Sequence, residues 1–158
     1  LAPAARFFNA LTKAKMRVPL LCLLTLLTFT SYRKTDKSGS LKVTLTGMRN
    51  DKGTVLVGLY KTKNGFPFDV TKAFKGAKAK IINGNAEVDF EDVPSGVVAI
   101  AALHDEDNNM QMARKSNGLP DEEYGFSNDA KATFGPPKFD KASFKHTGDQ
   151  VISIKMKI

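Results

Sequence analysis

The sequence predicts an all-β protein, an antiparallel β-sandwich of about seven short strands with one long ordered loop. Three observations point there. Leu41, Val43 and Leu45 alternate with Lys42, Thr44 and Thr46, the period of a half-buried strand. Turn clusters recur between the apolar stretches, at Gly47 to Gly53, Asn64 to Pro67, Asn83-Gly84 and Pro94-Ser95-Gly96. Beyond residue 40 no stretch carries the apolar spacing of an amphipathic helix.

Taken in order, Leu41 to Thr46 is the first strand and Thr54 to Tyr60, T-V-L-V-G-L-Y, the second. The turn cluster between them predicts a hairpin. Asn64-Gly65-Phe66-Pro67 breaks the pattern. Lys78 to Ile82 reads as a short strand, Asn83-Gly84 as a tight turn, and Ala86 to Phe90 as the return strand. Val97 to Leu103, V-V-A-I-A-A-L, is apolar at both parities and suits a central strand covered on both faces. Gln150 to Ile158 alternates well, with Val151 on the opposite parity from Ile152, Ile154, Met156 and Ile158. Phe144 falls in a short strand just before it.

Between these lies His104 to about Lys141, without clear periodicity. A connection of that length is far beyond the usual loop and points to function, self-packing or disorder. Its Tyr124, Phe126, Phe134 and Phe139 argue for an ordered, packed loop.

The first forty residues differ from the rest. Val18 to Phe29 is an apolar run preceded by Arg6, Lys13, Lys15 and Arg17, and no acid occurs before Asp36. That is the pattern of a secretory leader, and the run is short for a spanning helix, which needs roughly 20 apolar residues. The expected organisation is upstream residues and leader over 1–31, with the signal peptide around 16–31, a polar linker over 32–40, and the sandwich over 41–158. The protein is then secreted or periplasmic. An uncleaved leader would make it membrane-anchored, with the leader its only membrane contact. Cys22 lies inside the apolar run, so the mature part carries no cysteine.

The whole chain carries a net charge of +8. Beyond residue 32 it holds 20 bases against 16 acids, 20 − 16 = +4, spread without a Lys/Arg cluster. No basic-aromatic constellation supports nucleic-acid binding.

His104 to Asn109 looks like the start of a calcium loop, because Asp105, Asp107 and Asn109 place oxygen ligands at alternating positions around one point. The glycine such a loop needs at its sixth position is Met110, and the closing acid at its twelfth is Ser116. Asp121, Glu122 and Glu123 offer acids from further along. Two histidines and no cysteine in the mature chain are a poor zinc set. Ser95, Ser127 and Ser143 lack a nucleophile-elbow context. No catalytic residue is assigned, and the protein is expected not to be an enzyme. His104 is expected to anchor the loop through a hydrogen bond. Gly118-Leu119-Pro120, Tyr124 to Asn128 and Phe134 to Pro137 combine stiff turns with large rings, which suits either an aromatic cover for the sheet or a recognition surface.

These residues resemble the exported bacterial family known as domain of unknown function 2141. The resemblance rests on His104-Asp105, Asp107 and Asn109; on Gly118, Pro120, Glu122, Tyr124, Gly125, Phe126 and Ser127; on Phe134-Gly135-Pro136-Pro137; and on Phe139, Ala142 and Phe144. It covers about Leu41 to Ile158. It implies a secreted or periplasmic sandwich similar to transthyretin (prealbumin) or carboxypeptidase-regulatory-like domains, and no established activity. Met110 stands where the family pattern has glycine, and Ala113 or a neighbour stands at the acid that follows.

The leading expectation is a non-catalytic binding or structural module of the cell envelope, for an unidentified envelope or extracellular ligand. The ligand-binding or loop-ordering residues are His104, Tyr124, Phe126, Ser127, Phe134 and Phe139, with Phe144 also holding the loop. The alternative is a calcium-stabilised module in which Asp105, Asp107 and Asn109 hold the ion, with no other cofactor. A third is a glycan hydrolase using Asp105 with Glu122 or Glu123.

Overall fold

The computed structural model describes residues 37–158. The leader expected over 16–31 and the start of the linker lie outside the described residues. Among the described residues no helix is long and apolar enough to cross a membrane.

The domain is all-β with two sheets. It contains eight strands: β1 (Ser38–Thr46), β2 (Thr54–Tyr60), β3 (Lys75–Ala79), β4 (Asn85–Pro94), β5 (Gly96–Asp105), β6 (Tyr124–Phe126), β7 (Phe144–His146) and β8 (Gln150–Lys155). One sheet has the order β4-β1-β8, the other β3-β2-β5-β6, with β7 also on β5. The only α-helix among the described residues is α1, Phe139–Ala142.

The alternating residues read from the sequence fill the space between the sheets. Leu41, Val43 and Leu45 from β1 meet Val55, Val57 and Leu59 from β2 and Val98, Ile100 and Ala102 from β5. Ile154 and Met156 are buried, whereas Val151, on the other parity, points to solvent. β5 is covered on both faces, as its unbroken apolar run predicts.

Three details differ from the sequence reading. First, β1 and β2 form no hairpin. β1 pairs β4 and β8, β2 pairs β3 and β5, and the turn cluster carries the chain across from one sheet to the other. Both strands present an apolar face to the same interior, so they satisfy it from opposite sides. Second, the Asn83-Gly84 turn is present, with φ of 53° and 72°, but only Ile82 and Asn85 pair across it. The strand before it is Lys75–Ala79, which belongs to the other sheet. Third, the sandwich is not wholly antiparallel, because β8 runs parallel to β1, with Val43 opposite Ile152.

β1 begins at Ser38, within the stretch expected as linker. Asp149 receives both the main-chain N–H and the hydroxyl of Ser40 and so holds this end beside β8. The first of those bonds does most to keep the Asp149 carboxyl below its usual range.

Candidate functional site

The long connection after β5 is ordered by two partly buried acid clusters and one aromatic layer. β5 ends in His104 and Asp105, both fully buried. Their side chains serve separate clusters, as neighbours on a strand should. Glu122 and Glu123, also buried and also adjacent, divide between the same two clusters.

In the first cluster, His104 Nδ1 lies 2.9 Å from Glu123 Oε2 and Nε2 lies 2.8 Å from the Lys52 carbonyl. The Lys52 carbonyl can only accept, so Nε2 donates where that bond is made. The same Glu123 oxygen accepts the Arg49 main-chain N–H at 2.9 Å. Glu106 takes the Arg49 guanidinium and the Asn50 amide. Burial pushes the Glu106 carboxyl up, but the bonds from Asn50 and Arg49 and the Arg49 and His104 charges outweigh it and hold it below its usual range. The expectation that His104 anchors its loop by hydrogen bonding describes this geometry. The turn cluster 47–53 is the other half of the anchor. Gly53, at φ 65°, is needed there, since a Cβ would sit 1.9 Å from the Asp105 carbonyl oxygen.

In the second cluster, the two Asp105 oxygens accept the N–H groups of Asn109 and Met110 at 3.0 and 2.9 Å. The two Glu122 oxygens accept those of Glu106 and Ala113 at 2.9 and 2.8 Å. Asp107 accepts from Asn109, whose own side-chain oxygen caps Gln111. Asp105, Asp107 and Glu122 bring oxygens within 4.8 Å of one another. Among the described residues none of the three forms a salt bridge. Each carboxylate oxygen keeps a further lone pair after one N–H bond. The third acid beside Asp105 and Asp107 is thus Glu122, from further along the chain, whereas Asp121 reaches outward to Lys115. The glycine position is occupied by Met110 at φ 64°, the conformation glycine would favour. Asp105 and Glu122 are close to each other, and both are buried with each oxygen accepting one main-chain N–H, which suits a part in shaping the loop.

The aromatic layer covers the outer face of β5. Ala99 and Ala101 leave room there, and Tyr60, Phe126 and Ala142 pack onto them with Phe66, Tyr124 and Phe139 at the margin. Phe66 is the hub, with ring centroids 5.3 Å from Tyr60, 6.0 Å from Phe126 and 5.7 Å from Phe139. The sequence reading took Phe66 only for part of a strand break; its aromatic neighbours in the chain were the one signal available. Gly125 turns inward, where a Cβ would meet Ile154 at 2.7 Å.

Ser127, without nucleophilic context, is a buried clip. Its hydroxyl accepts the Ile100 N–H at 2.8 Å and donates to the Ala142 carbonyl. Ile100 lies between the stretch of β5 paired with β7 and the stretch paired with β6, so the serine fills the gap in the ladder. Phe139 is half-buried in the aromatic layer, and Phe144 packs against the inner core. Phe134 is a correction. Its ring is fully exposed, so it does not hold the loop. It sits on the bend made by Gly135, at φ 116°, and Pro136, which projects it away from the sheet.

Beside the aromatic layer lies a groove of about 270 Å³, walled by Phe68, Met112, Arg114, Leu119, Tyr124 and Phe126. Ala132, Thr133, Gly135 and Pro136 complete the lining. Residues 113–121 form a small hairpin along it, through Lys115 N–H to the Leu119 carbonyl at 2.9 Å and Asp121 N–H to the Ala113 carbonyl at 2.8 Å. Glu122 fixes the base of this hairpin through Ala113, so the acid cluster and the groove wall are parts of one loop.

A family described as "Uncharacterized protein conserved in bacteria (DUF2141)" matches residues 43–154. No curated protein and no solved structure matches the chain. The match spans most of the sequence and nearly all of the sandwich, and the chain belongs to this family.

Proposed function

We propose that this member of the family is a non-catalytic binding module whose ligand surface is the groove beside the aromatic layer. One observation carries the reading: the groove is walled by apolar residues of a loop that is itself fixed by buried acids and by Ser127. A concave, mostly apolar site with a few polar groups on a rigid frame is what small-ligand recognition uses. The leader expected over 16–31 supports work outside the cytoplasm. The two-sheet arrangement with a ligand surface on loops supports the finer affiliation to transthyretin-like sandwiches. The neutral fluorophore N-phenyl-1-naphthylamine tests the reading. Saturable binding that is lost in Leu119→Asp, with unchanged melting, is expected; no saturable binding ends it.

A second reading is favoured by the Asp105, Asp107 and Glu122 oxygens converging within 4.8 Å. A calcium ion there would relieve their mutual repulsion and stiffen the loop. A ligand that binds only the folded state raises its melting temperature. Millimolar calcium should raise melting and EDTA reverse it, and Asp107→Asn should weaken the effect. Identical melting curves in calcium and EDTA would remove this reading.

A further inference from the structure

Among the described residues the groove has one charged wall residue, Arg114. Arg114 is exposed, stands on the 113–121 hairpin, and donates from Nη1 to the Gly118 carbonyl at 2.9 Å. That bond steadies the guanidinium against its own hairpin. Among the described residues it forms no salt bridge, whereas its neighbour Lys115 is paired with Asp121. The remaining N–H groups of a guanidinium form a planar fork that matches a carboxylate or sulfonate edge. Thr133 and Tyr124 add hydroxyls to an otherwise apolar lining.

Resting on the groove reading above, we propose that the ligand is a small amphiphilic monoanion: an aromatic or aliphatic body in the groove, with its acidic head on Arg114. The charge is complementary, since the guanidinium offers its remaining N–H groups to an acidic head at the edge of an apolar lining. Among the described residues no acid lines the groove. The volume, about 270 Å³, suits one small molecule rather than a folded partner.

Two probes with the same anilinonaphthalene body separate the claims. 1-Anilinonaphthalene-8-sulfonate carries the anion, and N-phenyl-1-naphthylamine lacks it. The purified protein should bind the anionic probe about tenfold more tightly, the gain from one charge-assisted contact. Arg114→Gln should abolish that difference while leaving the neutral probe's affinity and the melting temperature unchanged. Lys115→Gln should change neither probe. Equal affinities in the wild type, or an equal loss in Arg114→Gln and Lys115→Gln, would overturn the assignment while leaving an apolar groove. Failure of both probes would instead overturn the groove itself. Self-association in sedimentation that displaces the probes would make a second copy of the chain the occupant and also overturn the proposal.

Discussion

The Glu123 carboxylate lies 2.9 Å from Nδ1 of the buried His104 ring and accepts the Arg49 main-chain N–H with the same oxygen. One side chain therefore ties the end of β5 to the β1–β2 connection. Glu123→Ala leaves a buried ring and a main-chain donor without their acceptor, and is expected to cost about 1–3 kcal/mol for each. Glu123→Gln keeps an acceptor and should cost clearly less. Urea midpoints of both variants measure this, and equal losses would show that charge, not acceptance, is what the site needs.

Met110 occupies a left-handed conformation at φ 64° and its side chain is exposed. A side chain there costs roughly 1–2 kcal/mol, partly offset by the greater chain entropy of glycine. Met110→Gly should therefore stabilise the protein by about 0.5–1 kcal/mol, seen as a small rise in melting temperature. An equal or lower value would mean that the methionine makes compensating contacts.

Ser127 and Phe134, both drawn from the same loop, should behave oppositely. Ser127→Ala strands the Ile100 N–H and should cost about 1–3 kcal/mol. Phe126→Ala removes a buried ring and should cost about 3–5 kcal/mol. Phe134→Ala touches a fully exposed ring and should leave the denaturation midpoint unchanged. A large loss in Phe134→Ala would require the ring to pack onto the protein.

Among the described residues four carboxyls sit below their usual range: Asp51 through the Gly84 and Asn83 main-chain bonds, Asp69 through the Thr71 hydroxyl, and Glu106 and Asp149 as described. A depressed folded-state pKa stabilises above the unfolded value and is lost as pH falls through the folded one. Unfolded values lie near 4. These groups therefore add nothing to pH dependence well above about pH 5, and stability should fall from about pH 4 downward. Asp51→Asn should lower melting at neutral pH and flatten the acid decline. A decline as steep as the wild type's would remove Asp51 from this set.

What the sequence made legible was local. Alternation placed Leu41, Val43, Leu45, Ile152 and Ile154 facing the interior or its margin, and the double-sided apolar run found β5. Pairing was not legible, because an apolar face says which side is buried and not which strand lies beside it. That is why β1 and β2 read as a hairpin although they sit in opposite sheets. At the candidate site, His104, Asp105 and Asp107 were visible as a motif. Glu123 was visible only as an acid further along, and Glu122 only as that and as one position of the family pattern, since convergence across a long loop leaves no spacing to read. Arg49 and Phe66 were hidden in stretches that look like ordinary turns.

β1 lies between β4 and β8, with Leu41 opposite Gln150 and Val43 opposite Ile152. Synthesis delivers β1 early and β8 late, so β1 waits with one neighbour while most of the sandwich emerges. Contacts this distant along the chain slow folding. A nascent polypeptide halted before Gln150 would display an unpaired, apolar strand edge, the surface on which extended segments of other chains add. Solubility during biogenesis thus depends on a strand that takes no part in the groove, and truncations designed to isolate the binding loop should retain β8.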